Sequence, residues 1–271
     1  MIRSDDSPRW LAAAVAQRSE ALVVALRRLG AAGLRRPSAL PGWSRLTVAC
    51  HLRYGAEALT RMTGEALAGR PTAFYPDGRS RQRPGTLRPR PREGPLDVVA
   101  SLGARSGELH RAWGALSEEQ WSTVVVEPRA NQDLGRVTLA SLALLRLTEV
   151  EVHGTDLDIG LPDWSDRFVR AALPFRLTRL AVRRSNHRPV DGTIRGSWLL
   201  SASDGPTFLV AVGEEGVTSG PADPGAGADA TIAGTSRDLL ALLLGRPPTG
   251  RLTIRGGRDV AAAFGRAFPG P

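Results

Sequence analysis

The sequence contains one cysteine, Cys50, and no lysine, so that all 36 basic side chains are arginines. A single cysteine excludes an internal disulfide framework and fits a protein of the reducing cytoplasm. No run of 18 apolar residues occurs, so we expect no membrane-spanning helix. The N-terminal residues MIRSDDSPRW lack the apolar core of a secretory signal peptide. These absences together predict a cytoplasmic globular protein.

The net charge is +9 and the pI is about 11.2. The arginines are spread along the chain, with one cluster at Arg79 to Arg92, RSRQRPGTLRPRPR. Nucleic-acid-binding proteins usually interleave clustered basic residues with aromatic ones, and this cluster contains no aromatic residue. We therefore interpret it as a mobile, solvated loop and consider a nucleic-acid partner unlikely. Binding of nucleic acid through this loop is kept as an alternative, which a steep salt dependence would reveal.

Four segments in the first 160 residues have the apolar periodicity of amphipathic helices. Pro8 suits a first helical turn and Ser44 suits an N-cap. The segments are Pro8 to Leu29, Ser44 to Thr63, Leu96 to Leu116 and Thr138 to Asp158. Gly69 to Pro95, between the second and third helices, has no period and is predicted to be a long loop. This pattern predicts an antiparallel four-helix bundle, whose core can hold a metal between facing helices.

The composition changes after Pro162 and predicts a second, small α+β domain. Helices are expected at Asp166 to Val182, Ser236 to Leu244 and Asp259 to Phe268. Strands are expected within Gly192 to Val217, with turns at 204 to 205 and 213 to 216, and at Ala230 to Ala233 and Leu252 to Arg255. Pro221 to Ala228 is predicted to be a flexible loop. We therefore divide the chain into domains at residues 1–165 and 166–271.

The candidate chemistry lies near the end of the fourth helix. Glu149 and His153 are four residues apart and Asp156 is three further on, so all three fall on one narrow stripe. Two ligands at this spacing can bind one ion, and His51 on the inner face of the second helix can supply a third. Imidazole and carboxylate suit zinc, nickel, iron or cobalt. Asp156 would orient His153 or act as a polar group at the cavity.

Each of these residues also has a purely structural interpretation. Alone, His51 is more often a core histidine with one hydrogen bond, and Glu/His pairs at this spacing also occur on helix surfaces. Cys50 lies about 100° round the helix from His51, which favours a buried apolar role over a nucleophilic one. In the long loop, Tyr75 and Arg79 are the candidates for covering a cavity mouth and contacting a cofactor.

The two histidine segments also resemble a known family. Around His51 the chain reads LPGWSRLTVACHL, with Trp43 eight residues before the histidine, and around His153 it reads TEVEVHGTDL. This pairing resembles the N-terminal domain of the mycothiol-dependent maleylpyruvate isomerases, which belong to the DinB-like metal-binding four-helix bundles. The resemblance implies a divalent metal, usually zinc, on His51, Glu149 and His153.

The resemblance extends over nearly the whole chain. The segment SRDLLALLLGRPPTGRLTIRGG is similar to the family's sterol-carrier-protein-like C-terminal domain. In that domain, Arg246 closes the corresponding helix, and the resemblance implies that it serves the active site by binding an anionic group of substrate or cofactor. The alternative is that Arg246 only complements the dipole of the helix whose end it occupies. The chain departs from the family in its Arg/Pro-rich segment 77 to 92, so the resemblance implies a class of electrophile and no particular substrate.

Three functional hypotheses follow. The first is a metal-dependent enzyme that uses mycothiol or a related low-molecular-weight thiol to isomerise, or to exchange groups on, an electrophilic small molecule. It could be an isomerase or an S-transferase, and a monomer or a homodimer. The second is a metal-binding stress or regulatory module without catalysis. The third is the nucleic-acid or partner-binding protein considered above.

Overall fold

A computed structural model describes residues 7 to 180, 194 to 268 and 270 of the chain. The chain divides into two compact units, Met1–Trp164 and Ser165–Pro271. Within the described residues, no helix is both long enough and apolar enough to cross a membrane. The first unit is mainly helical and the second combines helices with a sheet, which confirms the α+β class.

Four long helices build the first unit: α1 (Pro8–Arg28), α3 (Arg45–Leu67), α5 (Pro95–Gly114) and α6 (Leu139–Asp156). They match the four predicted segments within a few residues. Side-chain caps define three of their starts, because Ser7, Ser44 and Thr138 each accept a hydrogen bond from a backbone N–H of the first turn. The short helix α2 (Gly30–Arg35) was not predicted; it begins at Gly30, whose φ of 62° separates it from α1.

In the bundle, α1 and α3 each pack against both α5 and α6. The two helices α3 and α6 run antiparallel. The neighbouring pair α3 and α5 runs in the same direction, since Arg53 pairs with Glu93 near the start of α5 while Thr63 accepts a hydrogen bond from Trp113 near its end. The long connection between α3 and α5 makes this possible, because it returns the chain to the end of the bundle from which α3 starts.

The expectation of an aperiodic, mobile loop from Gly69 to Pro95 was wrong in part. Residues Arg79–Thr86 form a helix, α4, despite an internal proline, Pro84. None of its residues is buried, so it carries no apolar stripe by which periodicity could have revealed it. Two ion pairs join the segment after α4 to α3: Arg90 contacts Glu57 at 2.6 Å, and Glu93 contacts Arg53 at 2.6 Å.

A small ribbon closes the connection between α5 and α6. After the 3₁₀ turn Glu119–Ser122, β1 (Val124–Val125) pairs antiparallel with β2 (Val137–Thr138). The sequence of Thr123 to Val126 is compatible with a short strand or with an extended connector, and the structure has the strand; β2 was not predicted. Glu127 holds the intervening loop, because its carboxylate accepts hydrogen bonds from the backbone N–H groups of residues 133 to 135.

The second unit contains a five-stranded sheet in the order β5-β4-β3-β6-β7. Its strands are β3 (Gly196–Ala202), β4 (Thr207–Gly213), β5 (Gly216–Ala222), β6 (Ala230–Gly234) and β7 (Thr253–Gly256). Of the four strand pairs seen in the described part of this unit, β3 with β6 is parallel and the other three are antiparallel. Both predicted turns join antiparallel strands, but β5 extends into the segment predicted to be a loop.

Among the described residues of this unit, three helices accompany the sheet: α7 (Asp166–Thr178), α8 (Ser236–Leu243) and α9 (Arg258–Ala267). Helix α8 packs on β3 and β6, α9 packs on β3, β6 and β7, and α7 packs on α8 and β5. Buried Trp198 on β3 contacts Phe264 and Phe268 across this interface. The predicted ends at Val182 and Gly192 lie outside the described residues.

Candidate metal centre

Helices α3 and α6 bring His51, Glu149 and His153 together in the first unit. The Oε2 atom of Glu149 lies 2.6 Å from Nε2 of His51 and 3.3 Å from Nε2 of His153. One potential ligand atom from each residue lies within 4.8 Å of the other two, and among the described residues this is the cluster that meets such a criterion. The four-residue spacing on α6 places Glu149 and His153 on one face, and α3 adds His51 from the opposite side.

Asp156 and Trp43 fix the orientation of His153. The Nδ1 atom of His153 lies 2.8 Å from Oδ2 of Asp156, one turn further along α6. With Nδ1–H donating to this buried carboxylate, Nε2 is the ring nitrogen that faces Glu149 and His51. The indole of Trp43 stacks on the ring of His153, with centroids 6.2 Å apart and planes inclined by 15°. It also meets the ring of His51 edge-on, at 5.6 Å.

The ends of the two ligand-bearing helices are joined by hydrogen bonds. Arg45, the first residue of α3, donates from Nε to the carbonyl of Leu157 at 3.0 Å and from Nη2 to the carbonyl of Asp158 at 2.9 Å. The backbone N–H of Ala39 donates to the carbonyl of Asp156 at 2.8 Å. These three bonds, here called the Arg45 clamp, satisfy carbonyls at the C-terminus of α6 that the helix itself leaves unpaired.

The charges in the cluster are strongly coupled. Burial alone would raise the pKa of Glu149, but the charges and hydrogen bonds of His51 and His153 outweigh it and hold that pKa well below its usual value. Burial lowers the pKa of His51 and outweighs the opposing effect of Glu149. For His153, burial is outweighed by Asp156 and Glu149, which raise its pKa to about 9. His51 is therefore neutral at pH 7, while His153 without a bound cation is protonated.

This donor set fits a divalent cation. Two imidazole nitrogens and one carboxylate oxygen are the ligands of open, catalytic zinc-type sites, which leave another position for water or substrate. The side chains of His51 and His153 are only 15% and 12% exposed, whereas that of Glu149 is 44% exposed. The cluster therefore opens on the side of Glu149, where an incoming ligand could reach a bound ion.

Tyr75 and Arg79, the two candidates from the long connection, lie against each other. The guanidinium of Arg79 stands 5.6 Å from the ring centroid of Tyr75. Tyr75 is buried and stacks on Tyr54, with centroids 5.3 Å apart. Burial raises the pKa of Tyr75, as does the charge of Glu149, so its ring lies within electrostatic reach of the ligand cluster. Arg79 itself is exposed.

Two further residues contribute to the site, and neither was assigned a role from the sequence. Arg83 on α4 stands over the indole of Trp43 at 5.6 Å, and its charge helps to lower the pKa of His51. The sequence signal for Arg83 was its four-residue spacing from Arg79, which is meaningful only once α4 is known to be helical. Trp43 was noted for its spacing from His51 and not for contact with both histidines.

The remaining candidates lie elsewhere. Arg246 belongs to the second unit, just after α8, and its Nη1 donates to the carbonyl of Leu244 at 3.0 Å. Cys50 is fully buried, and burial raises the pKa of its thiol to about 11, in agreement with an apolar packing role. Among the described residues, one histidine lies outside the cluster, His110 on α5, and it is exposed.

Comparison with known proteins gives two findings. The family model described as the mycothiol maleylpyruvate isomerase N-terminal domain matches residues 12–158. A crystal structure of a mycothiol-dependent maleylpyruvate isomerase is similar over 92% of this chain and 93% of that one, at 20% identity and a TM-score of 0.66. A structure of a histidine-to-alanine mutant of such an isomerase gives 19% identity and a TM-score of 0.65. No curated protein matches the chain.

Proposed function

Because the chain belongs to the mycothiol maleylpyruvate isomerase N-terminal domain family, we propose that it is a metal-dependent enzyme that uses a low-molecular-weight thiol on an electrophilic small molecule. The observation that carries this proposal is the convergence of His51, Glu149 and His153 within 4.8 Å. The family match covers the bundle that contains all three residues. Zinc is the first candidate for the metal, with nickel as an alternative.

The metal would be held by Nε2 of both histidines and a carboxylate oxygen of Glu149. Bound there, a divalent cation would lower the pKa of a coordinated thiol and so supply the thiolate, the nucleophilic form of sulfur. The donor set supports this role, since it combines few protein ligands with an open side at Glu149.

The chain's own residues prepare the site. Asp156 accepts the Nδ1 proton of His153 and so keeps Nε2 available as a ligand. Trp43 packs against both imidazoles and excludes water from their faces. Arg83 and Arg79 add positive charge near the opening. These features favour a negatively charged thiol or substrate over a neutral one.

The substrate class we propose is a carbon electrophile, either a conjugated alkene or a carbon that bears a leaving group. Attachment of sulfur to a conjugated alkene turns the double bond into a single bond, which rotates before elimination restores the alkene and the thiol. In an S-transferase, the thiol would remain attached and the leaving group would depart. We assign Tyr75 and Arg79 to cofactor contact and Arg246 to an anionic group of substrate or cofactor, through its two-pronged guanidinium.

The first test is the metal content of the purified protein, measured by elemental mass spectrometry. We expect about one divalent ion per chain, and loss of that ion in His153→Ala. The matched control is His110→Ala, because His110 is an exposed histidine on the same bundle. Absence of metal from the wild-type protein, even after reconstitution, would contradict the proposal.

The second test separates thiol binding from metal binding. Cobalt-substituted protein should develop a sulfur-to-cobalt charge-transfer absorption when mycothiol is added. With a conjugated cis-alkene substrate, an isomerase returns the thiol unchanged, whereas an S-transferase consumes one thiol per turnover. Titration of free thiol during the reaction therefore distinguishes the two activities, and a cobalt protein that binds no thiol would refute both.

A further inference from the structure

Arg146 on α6 is a fully buried cation without a hydrogen-bonding partner for two of its three nitrogens. Its exposed fraction is 1%, and it is among the largest fully buried side chains described. Within the described part of the chain, neither Nε nor Nη2 has a hydrogen-bond partner. Burial lowers the pKa of Arg146 to about 10, so the guanidinium is still charged at neutral pH.

Such an arrangement is costly for a protein. A buried charge is normally paired, because transfer out of water costs several kcal/mol when hydrogen bonds and a counter-ion do not compensate it. The other buried arginines of the bundle follow this rule: Arg18 contacts Glu151 at 3.1 Å, and Arg53 contacts Glu93 at 2.6 Å. Arg146 is the exception among these three.

The guanidinium lies one helical turn below the candidate ligands. Arg146 precedes Glu149 by three residues on α6, and Gly55, which it faces, follows His51 by four residues on α3. Its Nη1 lies 2.8 Å from the point where a β-carbon on Gly55 would stand. Because Gly55 has no side chain, the guanidinium can occupy this position between the two ligand-bearing helices.

Glu149 is the carboxylate that acts electrostatically on Arg146. Its Oε2, however, faces His51 and His153, and its single negative charge would be shared with a divalent cation. The combined positive charge of Arg146 and the cation would then exceed the negative charge that the chain supplies beside them. The balance calls for an anion from outside the chain.

We propose that Arg146 is an internal anion-binding residue, which receives a carboxylate of the small molecule that occupies the metal centre. Its planar fork can donate two parallel hydrogen bonds to a carboxylate from Nε and Nη2, the two nitrogens that lack partners. The inference rests on the proposed function only for the place of the metal beside Arg146. The anion site itself requires neither a thiol nor a reaction.

The test uses metal-loaded protein and simple dicarboxylates of increasing length: malonate, succinate and glutarate. In each, one carboxylate is available to the metal and the other to Arg146, and the length of the chain between them sets whether both can bind at once. The controls are the corresponding monoamides, which keep the first carboxylate and replace the second by a neutral amide of similar shape. Calorimetry measures both affinities. We expect one length at which the dicarboxylate binds about tenfold or more tightly than its monoamide, because a charge-assisted bidentate pair is lost in the amide.

Arg146→Met should reduce this ratio to about one while it leaves the metal content unchanged. The second variant, Gly55→Ala, places a methyl group 2.8 Å from the position of Nη1, too close for both to stay, and should also weaken the preference without removing any charge. Any of three results would overturn the proposal. The wild-type protein could bind dicarboxylate and monoamide equally at every length, it could bind no dicarboxylate at all, or the preference could survive in Arg146→Met. Since no thiol is present, these results are independent of whether the thiol chemistry proposed above is correct.

Thermal unfolding distinguishes an anion-binding arginine from a structural one. The two roles predict shifts of opposite sign in the Tm of Arg146→Met. Arg146→Met should raise the Tm of the ligand-free protein by about 2 °C or more, because it removes an uncompensated buried charge. The matched control is Arg53→Met, which removes an equally buried but paired arginine and should lower the Tm. A fall in Tm for Arg146→Met comparable to that for Arg53→Met would show that Arg146 has a structural partner and overturn the inference.

Discussion

Metal binding to the cluster should release a proton from His153, and the amount follows from the structure. Asp156 and Glu149 raise the pKa of His153 to about 9, so at pH 7 the metal-free side chain is about 99% protonated. A histidine at its ordinary pKa of 6.5 would be only about one-quarter protonated. A cation must displace this proton from Nε2 to bind there. We therefore expect release of about one proton per metal ion bound at pH 7.

The same pKa sets the size of the pH effect on affinity. Displacement of a proton from a group with a pKa of about 9 costs roughly 2.7 kcal/mol at pH 7, which is about a hundredfold in apparent affinity. The affinity should therefore rise about tenfold for each pH unit between pH 6 and 8 and level off above pH 9. Calorimetry in two buffers of different ionisation enthalpy measures the number of protons released, and competition with a chelator of known affinity measures the slope.

The matched variant is Asp156→Asn, which keeps the shape of the side chain but removes the charge that raises the pKa of His153. It should release fewer protons at pH 7 and show a shallower pH dependence. Release of about 0.3 proton or less by the wild-type protein at pH 7 would refute the reasoning, since this is the value for an unperturbed histidine.

Without metal, the raised pKa also stabilises the folded protein. Because the folded-state pKa lies above the unfolded value of 6.5, this contribution is fully present below pH 6.5 and is lost as pH rises through 9. Its size is about 3 kcal/mol, and His153 is nearly buried, so solvent screening reduces it little. Chemical denaturation of metal-free protein at pH 6 and pH 9 should show the loss, and Asp156→Asn should show a smaller one.

Three further predictions concern groups outside the cluster. Cys50, with a thiol pKa raised to about 11 by burial, should resist alkylation at pH 8 in the folded protein and react once denaturant is added, as intact mass spectrometry would show. Trp113→Phe should lower the free energy of unfolding by about 1 kcal/mol in urea titration, because it removes the 3.0 Å hydrogen bond from Nε1 to Thr63; no change would mean that this bond adds nothing to stability. Arg53→Met should cost about 2 kcal/mol in the same assay because Glu93 is left without its partner, and a neutral result would contradict the view that this pair stabilises the fold.

Much of the fold could be predicted from the sequence because its signals are local. Apolar periodicity, Pro8 in a first turn and the cap at Ser44 predict the long helices, and helical spacing alone aligns Glu149 with His153. Helix α4 escaped prediction because it buries none of its residues and contains Pro84. Strand β5 escaped because it lies at the edge of the sheet, where Pro221 is tolerated, and its pairing with β4 depends on the partner strand.

The metal-site hypothesis could be reached from residue types and spacing, but the surroundings of the site could not. Arg146 faces Gly55 because of how far α3 and α6 are shifted along each other, and these two helices are far apart in the sequence. In the sequence, Arg146 is one arginine among 36, within an apolar helical stretch. Its lack of partners is a property of three-dimensional packing, which no local pattern reports.

The Arg45 clamp has a consequence for the kinetics of the centre. The final turn of a helix normally opens and closes rapidly, and His153 lies in the final turn of α6. With the carbonyls of Asp156, Leu157 and Asp158 held by the start of α3, fraying of this turn requires the first turn of a second helix to come loose as well. Movement of His153 away from a bound ion would then require a joint opening of both helix ends, which would slow release of the ion by that route and lengthen its residence time.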